Sequence, residues 1–278
     1  MREKAHFKRL SQYYDRSKMG YDSILGGSKH FGFYPKNKNI SEKQAQILMQ
    51  ELVAKKLKIT SKDVILDAGC GQGIVSIFLA KKYGCQIKGI TILPFELKKA
   101  NLLAKKLKIT AKLNYFLMDY NKMSFNKRHF DCIYTTETLS HSINIGKTLK
   151  EFLRVLKKGG RIALFEYSIA EDNKFTKYEL EILNKVIYSS AMSGLKQFRH
   201  DQFQNILKQA GFKDIKVENI SENTKPSLNR LRKLALIPYL FIKLFHLQKN
   251  HPNLTSAVEF YKMVNKDLIR YNIYTAKK

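Results

Sequence analysis

Gly69, Gly71 and Gly73 are spaced by single residues. They follow the apolar run Val64-Ile65-Leu66 and the acid Asp67, and Ile74 opens a segment of helical period. Glycines at such a turn let the backbone come close to a ligand, and the N-terminus of the next helix offers unpaired N–H groups. A dinucleotide-binding loop wants a glycine at position 74, where isoleucine stands, and would bring a pyrophosphate beside Asp67. No Gly-Lys-Ser/Thr follows, which excludes a triphosphate loop. Asp67 instead suits a ligand with an amino group and a positive charge, and S-adenosylmethionine has both. A bare strand-to-helix turn would need one glycine rather than three and an acid.

Methyl transfer from a sulfonium is an in-line displacement. The protein must align acceptor and methyl carbon, exclude water, and remove a proton where the acceptor carries one. Glu137 and His141 stand just beyond an apolar run, where α/β folds place their ligands, and are the candidates for proton removal. For His141 a hydrogen-bonded structural role is the competing reading. Glu137 has the alternative of holding the cofactor's methionine moiety. Glu166 and Tyr167 end another apolar run and are placed to face an acceptor, the alternative being a satisfied polar strand end.

These residues need a scaffold that gathers strand ends. From Asp63 onward, short β-branched runs alternate with helix-period segments, the pattern of a parallel sheet wrapped by helices. Strands are expected at 64–67, 86–90, 113–117, 130–134 and 161–167, with helices at 74–83, 95–107 and 145–156. Lys157-Lys158-Gly159-Gly160 reads as the close of the last of these, with cations at the negative end of the dipole and glycine free to turn left-handed. Farther on, helical stretches at 174–192, 201–210 and 227–266 are interleaved with strands at 215–220 and 271–276. The heptapeptide Ala-Lys-Lys-Leu-Lys-Ile-Thr occurs at 54–60 and 104–110 and reads as a helix ending used twice, since a solenoid would show more copies.

The loop and the segments after it resemble class I S-adenosylmethionine-dependent methyltransferases, in which Asp/Glu-x-Gly-x-Gly-x-Gly follows the first strand. Gly89-Ile90-Thr91-Ile92-Leu93-Pro94-Phe95-Glu96 is similar to the second-strand segment of sterol C-methyltransferases and tocopherol methyltransferases. Leu93 and Glu96 replace a polar residue and a glutamine there, and no acid ends the second strand to bind the ribose hydroxyls. Thr136-Glu137-Thr138-Leu139-Ser140-His141 and the stretch from Leu153 to Tyr167 resemble the same group.

The resemblance implies a Rossmann-like α/β fold with a mostly parallel seven-stranded sheet, an N-terminal helical arm over 1–60, and a methyltransferase domain over 61–278. Helical cap insertions are expected at about 171–200 and 222–268. It implies cofactor contacts from Asp67, Gly69, Cys70, Gly71, Gln72 and Gly73, from Thr91 and Ile92, from Asp119 and Tyr120 at the adenine, and from Glu137. Tyr13 and Tyr14 would belong to an arm folded over the cofactor, within an aromatic segment that includes Tyr21 and runs through Gly26-Gly27-Ser28-Lys29-His30 to Pro35. Ser140 stands where cyclopropane synthases have glutamate, which weighs against their carboxylate-assisted chemistry.

Composition narrows the partners. The chain has 278 residues and 44% hydrophobic content, enough for a large core, and a net charge of +28. Of its 51 basic residues 41 are lysine, so the surplus reads as a diffuse positive surface rather than a reader of nucleic acid, for which arginine is the better fork. Three cysteines without a Cys-x-x-Cys pair, and no apolar leader in residues 1–20, point to a reduced cytosol without a metal site. Leu234 to Leu247 is too short to span a bilayer. It is apolar on more than one face and lies in a basic C-terminal region (225–278), so core packing, a substrate cap and peripheral contact with an anionic membrane all remain open for it. The expectation is methyl transfer to carbon or oxygen of a small hydrophobic acceptor of sterol, isoprenoid or polyketide type. An RNA or protein methyltransferase and a non-catalytic cofactor-binding module are the alternatives, and oligomeric state is left open.

Overall fold

A computed structural model describes residues 2–24 and 28–278. Gly26 and Gly27 lie outside the described residues, as does the side chain of Tyr21. Seven strands form one sheet in the order β3-β2-β1-β4-β5-β7-β6: β1 (Val64–Ala68), β2 (Gln86–Thr91), β3 (Leu113–Leu117), β4 (Phe130–Thr136), β5 (Leu156–Ile169), β6 (Lys213–Asn219) and β7 (Ile269–Lys277). The pairs β1/β2, β2/β3, β1/β4 and β4/β5 are parallel, and β7 runs antiparallel between β5 and β6. The fold is the Rossmann-like one expected from the sequence, with strand order reversing between β1 and β4. In such sheets the crevice beyond that reversal receives the ligand.

Burial explains which strands were easy to see. Ile65, Leu66, Asp67 and Ala68 of β1 are all buried, as a central parallel strand demands. β6 is an edge strand, exposed along nearly its whole length, and its charges Lys213, Asp214, Lys216 and Glu218 discourage further pairing. One face of the sheet packs on α2 (Glu42–Leu57), α3 (Ile74–Tyr83) and α4 (Pro94–Lys106), through Met49, Val53, Leu79 and Ala100. The other packs on α5 (Ile145–Val155) and α7 (Phe203–Ala210), through Leu149, Phe152, Phe203 and Leu207. The remaining helices are α1 (Arg2–Ile24), α6 (Lys177–Ser189), α8 (Ser221–Leu244) and α9 (Pro252–Asn265).

Local chemistry sets several boundaries. Ser41 and Gln44 close a capping box on α2, and Thr176 and Glu179 do the same on α6. The repeated heptapeptide makes the same stop twice: Lys58 and Lys108 both turn left-handed (φ 51° and 53°), and Ile59 and Ile109 N–H donate back to Ala54 and Ala104 carbonyls. The reading of Lys157 to Gly160 as a helix close is corrected. α5 ends at Val155, Leu156 is already extended and pairs with Phe130, and the next four residues bulge before Arg161 resumes pairing opposite Cys132. Lys157 pairs with Asp131 at 2.8 Å instead of serving a helix end. The glycines serve the bulge: Gly159 has φ +72°, and a Cβ on Gly160 would stand 2.7 Å from the Leu156 side chain.

Candidate active site

The loop after β1 is held from below. Gly69 and Cys70 N–H both donate to the Ile90 carbonyl, at 3.0 and 2.9 Å, fixing the loop to the end of β2. A Cβ on Gly69 (φ +96°) would lie 2.3 Å from Thr138 Oγ1, so this glycine serves packing. At Gly71 (φ +52°) the nearest atom would be Glu96 Oε1, 3.8 Å away. Open space over a left-handed glycine is what close approach of a ligand requires.

That space is a cavity of about 330 Å³. Gly69, Cys70, Gly71, Gln72, Thr91, Ile92, Asp119, Tyr120 and Glu137 line its floor, and Tyr13, Tyr14 and His141 close it from the arm and the turn after β4. Three residues expected in the site do not line it. Gly73 begins α3 behind the loop, where a Cβ would meet the Tyr115 hydroxyl at 2.4 Å. Asp67 is buried beneath the loop with Oδ2 unpartnered, and burial pushes its carboxyl up to about 7.

Glu166 is the third, and its expected place facing the acceptor is corrected. It is 0% exposed, and its Oε1 accepts from Thr135 Oγ1 (2.9 Å) and from Thr138 and Leu139 N–H (3.1 and 2.9 Å). It braces the turn that carries Glu137 and His141, and burial raises its pKa to about 7.

Glu137 follows β4 directly with φ +55°, a left-handed conformation that costs a non-glycine residue about 1 kcal/mol or more. Three donors converge on its carboxylate: Phe31 N–H at 2.9 Å, Tyr271 hydroxyl at 3.0 Å, and the Tyr167 hydroxyl. Burial pushes Glu137 up to about 7, opposed in part by those donors.

His141 donates from Nδ1 to the Ala191 carbonyl at 3.2 Å, since a carbonyl can only accept; Nε2 therefore accepts from the Tyr14 hydroxyl at 3.1 Å. Burial lowers its pKa to about 4, so the imidazole is neutral at neutral pH. With both nitrogens engaged, His141 orients Tyr14 better than it abstracts a proton.

The end of β2 holds a feature the sequence reading missed. Pro94 opens α4, so Glu96 falls in its first turn and folds back, accepting from Thr91 Oγ1 at 2.8 Å and pairing with Lys29. Glu96 lines the cavity, so an acid does stand at the end of the second strand, delivered by the following helix. Pro94 marks the helix start two residues before Glu96, but not the direction in which that side chain folds. Lys29 also lies 4.0 Å above the Tyr14 ring centroid. Ser28 and Ser140 line the cavity with buried, unpartnered hydroxyls, and Asp119 uses Oδ1 on Asn121 N–H (2.8 Å) while lining it. Unsatisfied polar atoms beside an apolar space are places for ligand hydrogen bonds.

α8 and α9 add an apolar run to the lining, interspersed with Thr224, Lys225, Asn253 and Ser256. Leu228, Leu231, Leu234 and Ala235 of α8 and Leu254, Ala257 and Phe260 of α9 form a wall across from the glycine loop. Polar groups on one side and an aliphatic wall on the other suit a nucleoside-bearing cofactor next to a hydrophobic acceptor.

Residues 66–164 match the family model of a methyltransferase domain. That match, together with the geometry of the site, supports a class I S-adenosylmethionine-dependent methyltransferase. S-adenosylmethionine is its cofactor, and the orphaned polar atoms and the opening over Gly71 fit that molecule. An S-adenosyl-L-methionine-dependent Diels-Alderase of Talaromyces variabilis is 29% identical, covering 99% of this chain and 97% of its own length. Tocopherol O-methyltransferase of Arabidopsis thaliana is 26% identical over 98% of this methyltransferase and 82% of its own length. The crystal structure of the [4+2]-cyclase SpnF superposes with a TM-score of 0.79 at 22% identity, covering 97% of this chain and 94% of that one. The similarity thus extends through the arm and the cap helices.

Proposed function

We propose that this enzyme transfers the methyl group of S-adenosylmethionine to carbon or oxygen of a small hydrophobic acceptor of isoprenoid, sterol or polyketide type. The cofactor supplies an electrophilic methyl on a cationic sulfur. One observation carries the reading: a single cavity joins the glycine loop to the aliphatic wall of α8 and α9. In this reading Gly71 and Gln72 receive the cofactor's backbone, Asp119 the adenine, Glu96 with Thr91 the ribose, and Glu137 the methionine end, Tyr13 and Tyr14 closing over it from the 1–60 arm. The 61–278 domain carries the chemistry, with its cap segments at about 171–200 and 222–268 selecting the acceptor and the basic 225–278 region bordering membrane.

A second reading has a specific observation behind it. Burial keeps His141 neutral while both its nitrogens are hydrogen-bonded, Glu137 is covered by three donors, and Glu166 is outside the cavity, so none of these three candidate bases is free to face the acceptor. That arrangement suits an acceptor that needs no deprotonation before attack, or a cyclisation in which the bound cofactor is not consumed, as the Diels-Alderase relative's name suggests. Methyl-labelled cofactor incubated with lipid extracts separates the two. Label in an apolar product supports transfer, whereas a cofactor-dependent product of unchanged mass supports cyclisation. Failure of calorimetry to detect S-adenosylmethionine binding would sink both.

A further inference from the structure

The basic, greasy C-terminal region divides in two. Ala235, Tyr239 and Ile242 of α8 turn inward onto Val258 of α9, and Tyr239 donates to buried Glu259 at 2.5 Å. Ile237, Leu240, Phe241 and Leu244 fall on the opposite face at helical spacing and are exposed, at 71%, 55%, 65% and 71%, with Phe245 at 64% just past the helix. This stripe of large apolar side chains exceeds the scattered single hydrophobics of an ordinary surface.

The segment that carries it has charges of one sign. From Asn223 to Val258 there is no acidic residue and there are six lysines and arginines. Exposed Lys233 heads the stripe one turn before Ile237, and Lys243 flanks it against the Tyr178 ring. A second copy docked face to face would oppose like charges. An anionic lipid surface satisfies both the apolar stripe and the cations. Leu234 connects this stripe to the site: it is 53% exposed and also lines the cavity, so the aliphatic wall reaches the surface beside the stripe.

We propose that the exposed face of α8 seats on an anionic bilayer and sets the cavity mouth at Leu234 against the lipid, so that the hydrophobic acceptor enters from the membrane without crossing water. The proposal rests on the reading of the cavity as an acceptor site, yet its test needs no turnover. The chain has no tryptophan, so Phe241→Trp and Leu234→Trp each supply a sole reporter. With phosphatidylcholine vesicles containing phosphatidylglycerol, both emissions should shift to the blue and be quenched by brominated acyl chains, and salt should weaken the effect. Phe241→Asp with Leu244→Asp should abolish co-sedimentation with those vesicles while leaving the calorimetric affinity for S-adenosylmethionine unchanged, since neither residue lines the cavity.

Several outcomes would overturn the proposal. No binding to the anionic vesicles would do so, as would equal binding to pure phosphatidylcholine or unchanged binding by the double variant. Quenching at position 241 without quenching at 234 would refute delivery at the mouth. A dimer in ultracentrifugation that the double variant abolishes would mean that a second copy covers the stripe. Loss of cofactor binding in the unsubstituted protein would strike the functional reading and leave the lipid result standing.

Discussion

The floor and the cap of the cavity obey different constraints. The floor consists of strand ends and the turns after them, and its positions are set by backbone demands: left-handed turns at Gly69 and Gly71, and carbonyl and N–H groups shared between neighbouring strands. The cap consists of helices whose cavity-facing residues are largely aliphatic, Leu228, Leu231 and Leu254 among them. A floor position tolerates few residue types. A cap position tolerates any apolar residue of suitable volume, which lets one scaffold accept many substrates.

The sharpest way to break this contrast is at the glycines. Gly71→Leu should abolish S-adenosylmethionine binding by calorimetry while the protein stays folded, because the substituent enters the ligand space and costs only the left-handed strain of about 1–2 kcal/mol. Gly69→Leu should do the reverse first and lower the melting temperature severely, since it collides with Thr138. Equal affinity in Gly71→Leu and the unsubstituted protein would remove the floor from the cofactor site.

Glu166→Ala comes next. It strands the N–H groups of half-buried Thr138 and buried Leu139, at about 1–3 kcal/mol for the buried one, and should appear as a lower midpoint in denaturant. Abolished turnover with unchanged stability would instead put Glu166 in the chemistry.

A smaller effect is a proton balance. Glu137 is raised to about 7 by burial, and a cationic ligand beside it favours its ionised form. Cofactor binding near pH 6.5 should therefore release protons, seen as a dependence of the calorimetric enthalpy on buffer ionisation, and Glu137→Gln should reduce it.

The pH dependence of stability has two opposed parts. The raised carboxyls Asp67, Glu137 and Glu166 contribute stability that is present at acid pH and lost as pH rises through about 7. His141, lowered to about 4, costs stability as pH falls from 6.5 toward 4, where the unfolded chain takes up a proton that the folded one refuses. Denaturation midpoints followed from pH 4 to 8 should show the upper limb shrink in Glu166→Gln and the lower limb shrink in His141→Asn. The finest effect expected is at Tyr14→Phe, which removes the donor to His141 and should lower turnover by a few fold without a new break in the pH profile between 5 and 8. A break near 6.5 in the unsubstituted enzyme that His141→Asn removes and Glu137→Gln does not would mean that His141 titrates after all.

The outcome at each site residue follows the same division. Asp67 and the glycines could be found from sequence because strand, acid and left-handed turn are contiguous. Glu96 could not, because whether a first-turn acid points back to β2 depends on the angle at which Pro94 launches α4. Tyr271 could not either: it meets Glu137 across 134 residues of chain, and only the antiparallel insertion of β7 beside β5 sets Tyr271 against Tyr167. Glu166 misled for the reverse reason: the sequence reads it as a strand end, but β5 continues to Ile169 and the Glu166 side chain points down into the Thr138 turn.

Sequence alone determined most of the elements, the sheet's core and the kind of cofactor, since apolar period and glycine spacing act over a few residues and record local backbone requirements directly. Tertiary structure decided which side of α8 is buried, which carboxylates reach the cavity and which nitrogen of His141 carries the proton. Those depend on partners far apart in the chain, brought into contact only when the sheet closes and the helices settle over it.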